Sequence, residues 1–190
     1  KGFGDGLPRS IGAGGAEVSR SAPSLWNAGL QERYFWDGRA DSLEQQMQGP
    51  LYAENEMAGT PERLLGALTA NSVYPSLFLQ AFPDEKQSGI RLDQVYTAIA
   101  AFECSLVSLN SRYDYYAHGV HEALSAPEIE GLNIFRSFVA RCAECHTPPL
   151  FSNQQIAVLG TPEPDGRPLD PGREGVTGDP SQRAGFKVPS

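Results

Sequence analysis

The chain has 190 residues, of which 40% are hydrophobic, with 20 glycines and 15 prolines. That is enough for one large domain or two small ones, and no apolar run approaches the ~18 residues a membrane-spanning helix requires. Fifteen basic residues against 23 acidic give a net charge of −8; this argues against a nucleic-acid partner, which demands a basic footprint, and favours partners with basic patches.

The elements are predicted in chain order as follows. Residues 1–24 carry six glycines (Gly2, Gly4, Gly6, Gly12, Gly14 and Gly15) and read as loop. Trp26, Tyr34, Phe35 and Trp36 follow, and Asp37-Gly38 marks a turn. A short helix starts after Ser42, with Leu43 and Met47 on one face. Another starts at Thr60, an N-cap with Pro61 in the first helical position and Leu64, Leu65 and Leu68 as its apolar face. Apolar residues at Leu92, Val95, Tyr96, Ile99, Phe102, Leu106 and Leu109 predict a helix over 91–109. Residues 110–124 read as a linker. Ser125 and Glu128 form a capping box ahead of a helix whose buried stripe is Ile129, Leu132, Phe135, Phe138 and Val139. From Gly160 to Ser190 there are six glycines and six prolines in 31 residues, which predicts a long loop. No useful strand alternation is visible, so the expected class is all-α with long loops.

Three cysteines are too few for a disulfide scaffold. Two of them stand in Cys142-Ala143-Glu144-Cys145-His146, the C-x-x-C-H pattern of covalent c-type haem attachment. There the two thiols add to the haem vinyl groups and the adjacent imidazole becomes an axial iron ligand. Zinc needs about four ligands, and Cys142, Cys145, His146 and the distant Cys104 make a poor set. A thioredoxin-like pair needs a βαβ unit, and none is visible. Haem c therefore accounts best for the motif, and its assembly implies export to the periplasm. For the sixth ligand, His118 and His121 read as solvated surface residues, Met47 and Met57 as packing, and Cys104 as a buried inert thiol.

Several further segments occur together and in one order. They are Ser21-Ala22-Pro23-Ser24-Leu25-Trp26-Asn27, Phe35-Trp36-Asp37-Gly38-Arg39, Leu43-Glu44-Gln45-Gln46, Glu56-Met57, Ala98-Ile99-Ala100-Ala101-Phe102-Glu103 and Gly185-Phe186-Lys187-Val188-Pro189-Ser190. With the haem motif, this series resembles the bacterial diheme cytochrome c peroxidase and MauG-like family over nearly the whole chain. The resemblance implies two cytochrome c-like helical domains, here residues 1–112 and 113–190, each carrying one covalent haem in the intact protein. The haem on His146 would be the second; a first C-x-x-C-H and the Met or Tyr ligand of the second haem are expected beyond the two ends of this sequence.

Site roles implied by the resemblance fall on particular positions. Trp36 matches the tryptophan that relays electrons between the haems. Glu56 matches the carboxylate that takes a proton from hydrogen peroxide and returns it to the leaving oxygen, and Gln46 an amide that orients peroxide or water. Arg39 suits a haem propionate, because a guanidinium fork fits a carboxylate. The carbonyls of Lys187 and Pro189 fall where the family binds calcium, although Ser21 stands where an Asn side chain usually completes that site and is a poorer ligand. The implied activity is peroxide reduction with electrons from a small redox protein (a cytochrome c or a cupredoxin). The alternatives are MauG-like oxidation of a partner protein and simple electron transfer; a homodimer is among the assemblies the resemblance admits. The Trp that some MauG-like enzymes place just before the second haem motif is absent, the stretch being Phe138-Val139-Ala140-Arg141. The runs Cys145–Phe151 and Thr161–Gly166 lean toward the partner-oxidising branch.

Overall fold

In a computed structural model of the protein, residues 2–83, 89–163 and 166–189 are described. Pro164 and Asp165 of the Thr161–Gly166 run, and Ser190, lie outside them. The described residues are mostly helical: α1 (Leu43–Tyr52), α2 (Pro61–Ala70), α3 (Tyr74–Ala81), α4 (Leu92–Ser105), α5 (Arg112–Ala117), α6 (Ala126–Arg136), α7 (Cys142–Cys145) and α8 (Glu174–Thr177). The chain forms two compact units. One comprises Lys1–Leu30 and Ala40–Leu106, the other Gln31–Arg39 and Val107–Ser190.

The first unit is organised by α1 and α4. The Ser42 hydroxyl caps α1 by accepting the Gln45 N–H, and that start orients Leu43 and Met47 inward, both buried. Val95 and Ala100 are the buried apolar residues of α4, beside the buried Gln94 and Glu103. Burial first, and then a hydrogen bond of 2.6 Å shared with the Tyr96 hydroxyl, push the Tyr52 phenol up to about 12. Thr60 caps α2 through the Arg63 N–H, as its sequence position predicts. Helix α3 has no such signal: Val73, its N-cap, offers no side-chain oxygen, and the helix escapes a reading based on caps.

The second unit differs from the sequence reading in three places. Residues 110–124 are not a plain linker, because the Ser111–Asp114 capping box starts α5. Helix α6 stops at Arg136, so Phe138 and Val139 leave its stripe and stand 95% exposed. The Gly/Pro-rich tail does hold regular structure: β2 (Gly185–Lys187) pairs antiparallel with β1 (Ile156–Val158), with Ile156 opposite Lys187, and α8 adds one turn. Gly172 permits the tail to fold back. It sits at φ 57°, and a Cβ there would lie 2.4 Å from the Gly185 carbonyl oxygen.

The segment Gln31–Arg39 belongs to this second unit, although in sequence it falls within 1–112. Long-range hydrogen bonds account for the placement. The Arg173 guanidinium donates to the Asp37 and Gly38 carbonyls at 3.0 and 2.5 Å, Lys187 N–H donates to the Trp36 carbonyl at 2.7 Å, and Glu32 N–H donates to Gln154 Oε1 at 2.6 Å.

Candidate functional site

The haem motif occupies a single helical turn. Arg141 enters it in the left-handed region (φ 57°) and clamps Glu144 through two hydrogen bonds of 2.9 Å, closing the turn on its exposed side. Cys142 and Cys145 are free thiols, the first exposed and the second half-buried. His146 ends the turn, and its Nδ1 lies 2.9 Å from the Phe151 carbonyl oxygen. A carbonyl only accepts, so Nδ1 carries the proton, and in the neutral imidazole the lone pair is on Nε2. Phe151 is itself fixed between α5 and α6, its ring edge-on to Tyr113 (4.9 Å between centroids) and to Phe135 (5.9 Å).

This donor set fits a covalent haem. Two free thiols flank one turn, and the adjacent imidazole presents the tautomer an iron ligand needs, its other nitrogen already engaged. Among the described residues no group of three or more His, Cys, Asp and Glu side chains could hold a metal ion. One imidazole with two thioether-forming thiols suits a porphyrin iron, which brings its own four nitrogens.

The remaining sequence-predicted residues fall in both units. In the first, Gln46 is half-buried on α1, and Glu56 is half-buried in the turn after it. That turn is bound by backbone hydrogen bonds: Glu56 N–H to the Ala53 carbonyl at 3.0 Å, Met57 N–H to Pro50 at 3.1 Å, and Ala13 N–H to the Glu56 carbonyl at 2.5 Å. In the second unit Trp36 is half-buried beside the buried Asp37. Arg39 donates from Nη1 to both Asp37 oxygens at 3.0 and 2.9 Å, and its guanidinium carbon lies 3.4 Å from the Phe35 ring centre. Asp37 is thus its carboxylate partner here. Lys187 is half-buried; its ammonium bonds Gln31 Oε1, and desolvation lowers its pKa. Pro189 is exposed.

Among the other residues weighed in sequence, Cys104 is exposed rather than buried, although Gly29 approaches it so closely that a Cβ there would stand 2.9 Å from the Cys104 Sγ. Met47 is packing, as expected, and Met57 is 64% exposed. Sequence reasoning missed Gly12, whose backbone lies against Asn55 and Glu56. It also missed Phe151, the carbonyl partner of His146. A glycine-rich loop gives no sign of which glycine a distant turn will approach.

A helical fold with a C-x-x-C-H turn and a correctly polarised imidazole defines a c-type haem protein. A family model for di-haem cytochrome c peroxidase matches residues 1–122. Cytochrome c551 peroxidase of Nitrosomonas europaea is 32% identical over 98% of this chain and 54% of its own length. The MauG methylamine utilization protein of Methylorubrum extorquens is 33% identical over 100% of this chain and 52% of its own. Among solved structures, a MauG-like protein associated with microbial copper homeostasis superposes with a TM-score of 0.88 at 28% identity, over 98% of this chain and 59% of that one. The chain belongs to the di-haem cytochrome c peroxidase family and spans about half the length of these curated relatives.

Proposed function

We propose that this chain is part of a diheme peroxidase that reduces hydrogen peroxide, with electrons entering at the haem on His146. The observation that carries the reading is the His146 imidazole, held by the Phe151 carbonyl with Nε2 left for iron, within a chain of this family. Haem c, when bound, supplies a one-electron iron couple. Cys142 and Cys145 tether it and His146 ligates it. Trp36, anchored through its carbonyl to Lys187, relays electrons, since an indole shortens the tunnelling gap and is transiently oxidisable.

Glu56 accepts a proton from hydrogen peroxide and delivers it to the departing oxygen, easing O–O cleavage; Gln46 orients the peroxide. A small cytochrome c or cupredoxin donates the electrons. Arg39 meets a haem propionate by exchanging part of its hold on Asp37. The carbonyls of Lys187 and Pro189 offer oxygen ligands to calcium. The two units correspond to two cytochrome c-like domains, and covalent haem attachment places the protein in the periplasm.

The MauG relative and the MauG-like structural neighbour favour a second reading, in which the same oxidising equivalents remove electrons from a partner protein. Steady-state assay of the full-length protein with hydrogen peroxide and a reduced cytochrome c separates the two. Rapid donor oxidation with one peroxide consumed per two electrons is expected. Slow donor oxidation alongside peroxide-dependent modification of a partner would establish the second reading instead, and no reaction with peroxide would leave simple electron transfer.

A further inference from the structure

The loop after the haem turn holds two residues in backbone conformations that non-glycine residues avoid: Phe151 at φ 53° and Gln154 at φ 59°. Between them, Ser152 Oγ donates to the Val188 carbonyl at 2.6 Å and accepts the Gln154 N–H at 3.0 Å. The residue before Ser152 is Phe151, whose carbonyl accepts the His146 Nδ1–H. The residue before Val188 is Lys187, whose N–H donates to the Trp36 carbonyl. Three hydrogen bonds and two peptide steps therefore run without a break from the imidazole, through Ser152, to the backbone of Trp36. Of the three, the central one is made by a side chain that no haem chemistry requires.

We propose that Ser152 is a positioning residue of the haem centre, its hydroxyl fixing the Phe151 carbonyl against His146 and tying the axial imidazole to the segment that carries Trp36. This rests on the ligand role of His146 proposed above. A carbonyl drawing on Nδ1–H enriches the ring in electron density, strengthens Nε2 as a donor and stabilises the oxidised iron. Without the hydroxyl, nothing in the side chain at 152 holds the left-handed turn at Phe151 and Gln154. The Phe151–Ser152 peptide is then held only by the Ser152 N–H, which donates to the Thr147 carbonyl at 3.1 Å; the carbonyl tilts from Nδ1 and the imidazole becomes a weaker donor. Other bonds keep the loop folded in that event: Asn153 N–H to the Cys145 carbonyl at 2.7 Å, Asn153 Nδ2 to the Glu144 carbonyl at 3.1 Å, and Val188 N–H to the Gln155 carbonyl at 2.9 Å. The consequence is thus expected in the redox equilibrium of the haem rather than in folding.

The test is spectroelectrochemical titration of the full-length, haem-loaded protein in the absence of peroxide; the couple altered in His146→Ala identifies the haem concerned. Ser152→Ala is expected to shift the reduction equilibrium of that haem about tenfold toward the reduced form, which is 59 mV for one electron. Ser152→Thr, which retains a hydroxyl, is expected to restore the wild-type value. An unchanged potential in Ser152→Ala overturns the proposal. Should that variant fail to retain haem, Ser152→Cys, a weaker donor of similar size, is read in the same way: a rise supports the proposal and an unchanged potential overturns it. A wild-type protein that lacks covalent haem removes the ligand role of His146 and this positioning role together. A wild-type protein that carries haem yet does not turn over peroxide, while Ser152→Ala still shifts the potential, removes only the peroxidase reading.

Discussion

Gly12 and Asn55 approach so closely that a Cβ on Gly12 would stand 1.8 Å from the Asn55 carbonyl oxygen and 3.0 Å from the Glu56 Cα. Gly12 has an ordinary φ of −89°, so what it supplies is proximity and not conformational freedom. With the Ala13 N–H donating to the Glu56 carbonyl, the N-terminal loop forms one wall of the turn that presents the Glu56 carboxylate.

Gly12→Ala should therefore displace the 54–57 turn, because the atom it meets is backbone and cannot swing aside. The expected result is a peroxide reaction slowed by about tenfold or more, since ångström-scale misplacement of a catalytic group is costly. The potential of the haem on His146 should be unaffected. Rapid-mixing kinetics with hydrogen peroxide, paired with a redox titration, checks both halves; wild-type peroxide kinetics in the variant would show that the contact does not matter.

Glu56→Gln keeps the size and the half-buried position of the side chain but removes its basicity. General acid–base assistance of this kind contributes roughly 10²- to 10⁴-fold. The variant should lose about that factor in the second-order rate with peroxide while its haem spectra and haem content match wild type. Equal rates would take Glu56 out of the mechanism.

What the sequence made legible follows from how local each signal is. The C-x-x-C-H turn, the helix start at Ser42, the Thr60 cap and the Ser125–Glu128 box are written within four or five residues, and each appears where its residues predict. The two-stranded sheet was hidden because three-residue strands, one of them inside the Gly- and Pro-rich tail, carry no periodicity; they form through pairing over a separation of about 30 residues. Gln31–Arg39 joins the second unit for the same reason, by way of Arg173, Lys187 and Gln154. The expected burial of Phe138, Val139 and Cys104 failed differently: apolar spacing shows which face a helix would bury but not where the helix stops or whether another element covers it.

Glu103 on α4 is buried with Oε2 unpartnered, and burial and the nearby Glu44 carboxylate both push its pKa above the ordinary carboxylate value. A carboxyl whose folded pKa is raised binds its proton more tightly in the folded state. Stability is then greatest below the unfolded value of about 4.5 and declines as the pH rises through the folded pKa. Glu103→Gln cannot ionise and should flatten that decline. Urea unfolding midpoints from pH 4 to pH 8 are expected to converge or cross, with the variant gaining on wild type as the pH rises. Parallel pH profiles would mean that Glu103 does not titrate in this range.

Glu128 shows the opposite sign. Its two oxygens accept from the Arg112 guanidinium at 2.5 and 2.6 Å, and one also accepts the Ser125 hydroxyl and N–H at 2.6 and 2.8 Å. The Arg112 bonds first, then those from Ser125, hold its pKa at about 2. A lowered folded pKa contributes stability that is fully present above the ordinary value near 4.5 and is withdrawn as the pH falls toward 2. Glu128→Gln should therefore lower the thermal midpoint at pH 7, by an amount that shrinks in 1 M salt because the pair is exposed to solvent. Below pH 4 the gap between wild type and variant should narrow to a small remainder at pH 2, and it closes as the pH falls through that value. Melting curves at pH 7, 4 and 2 decide the matter: a gap as wide at pH 2 as at pH 7 would show that the carboxylate charge is not what joins α5 to the start of α6.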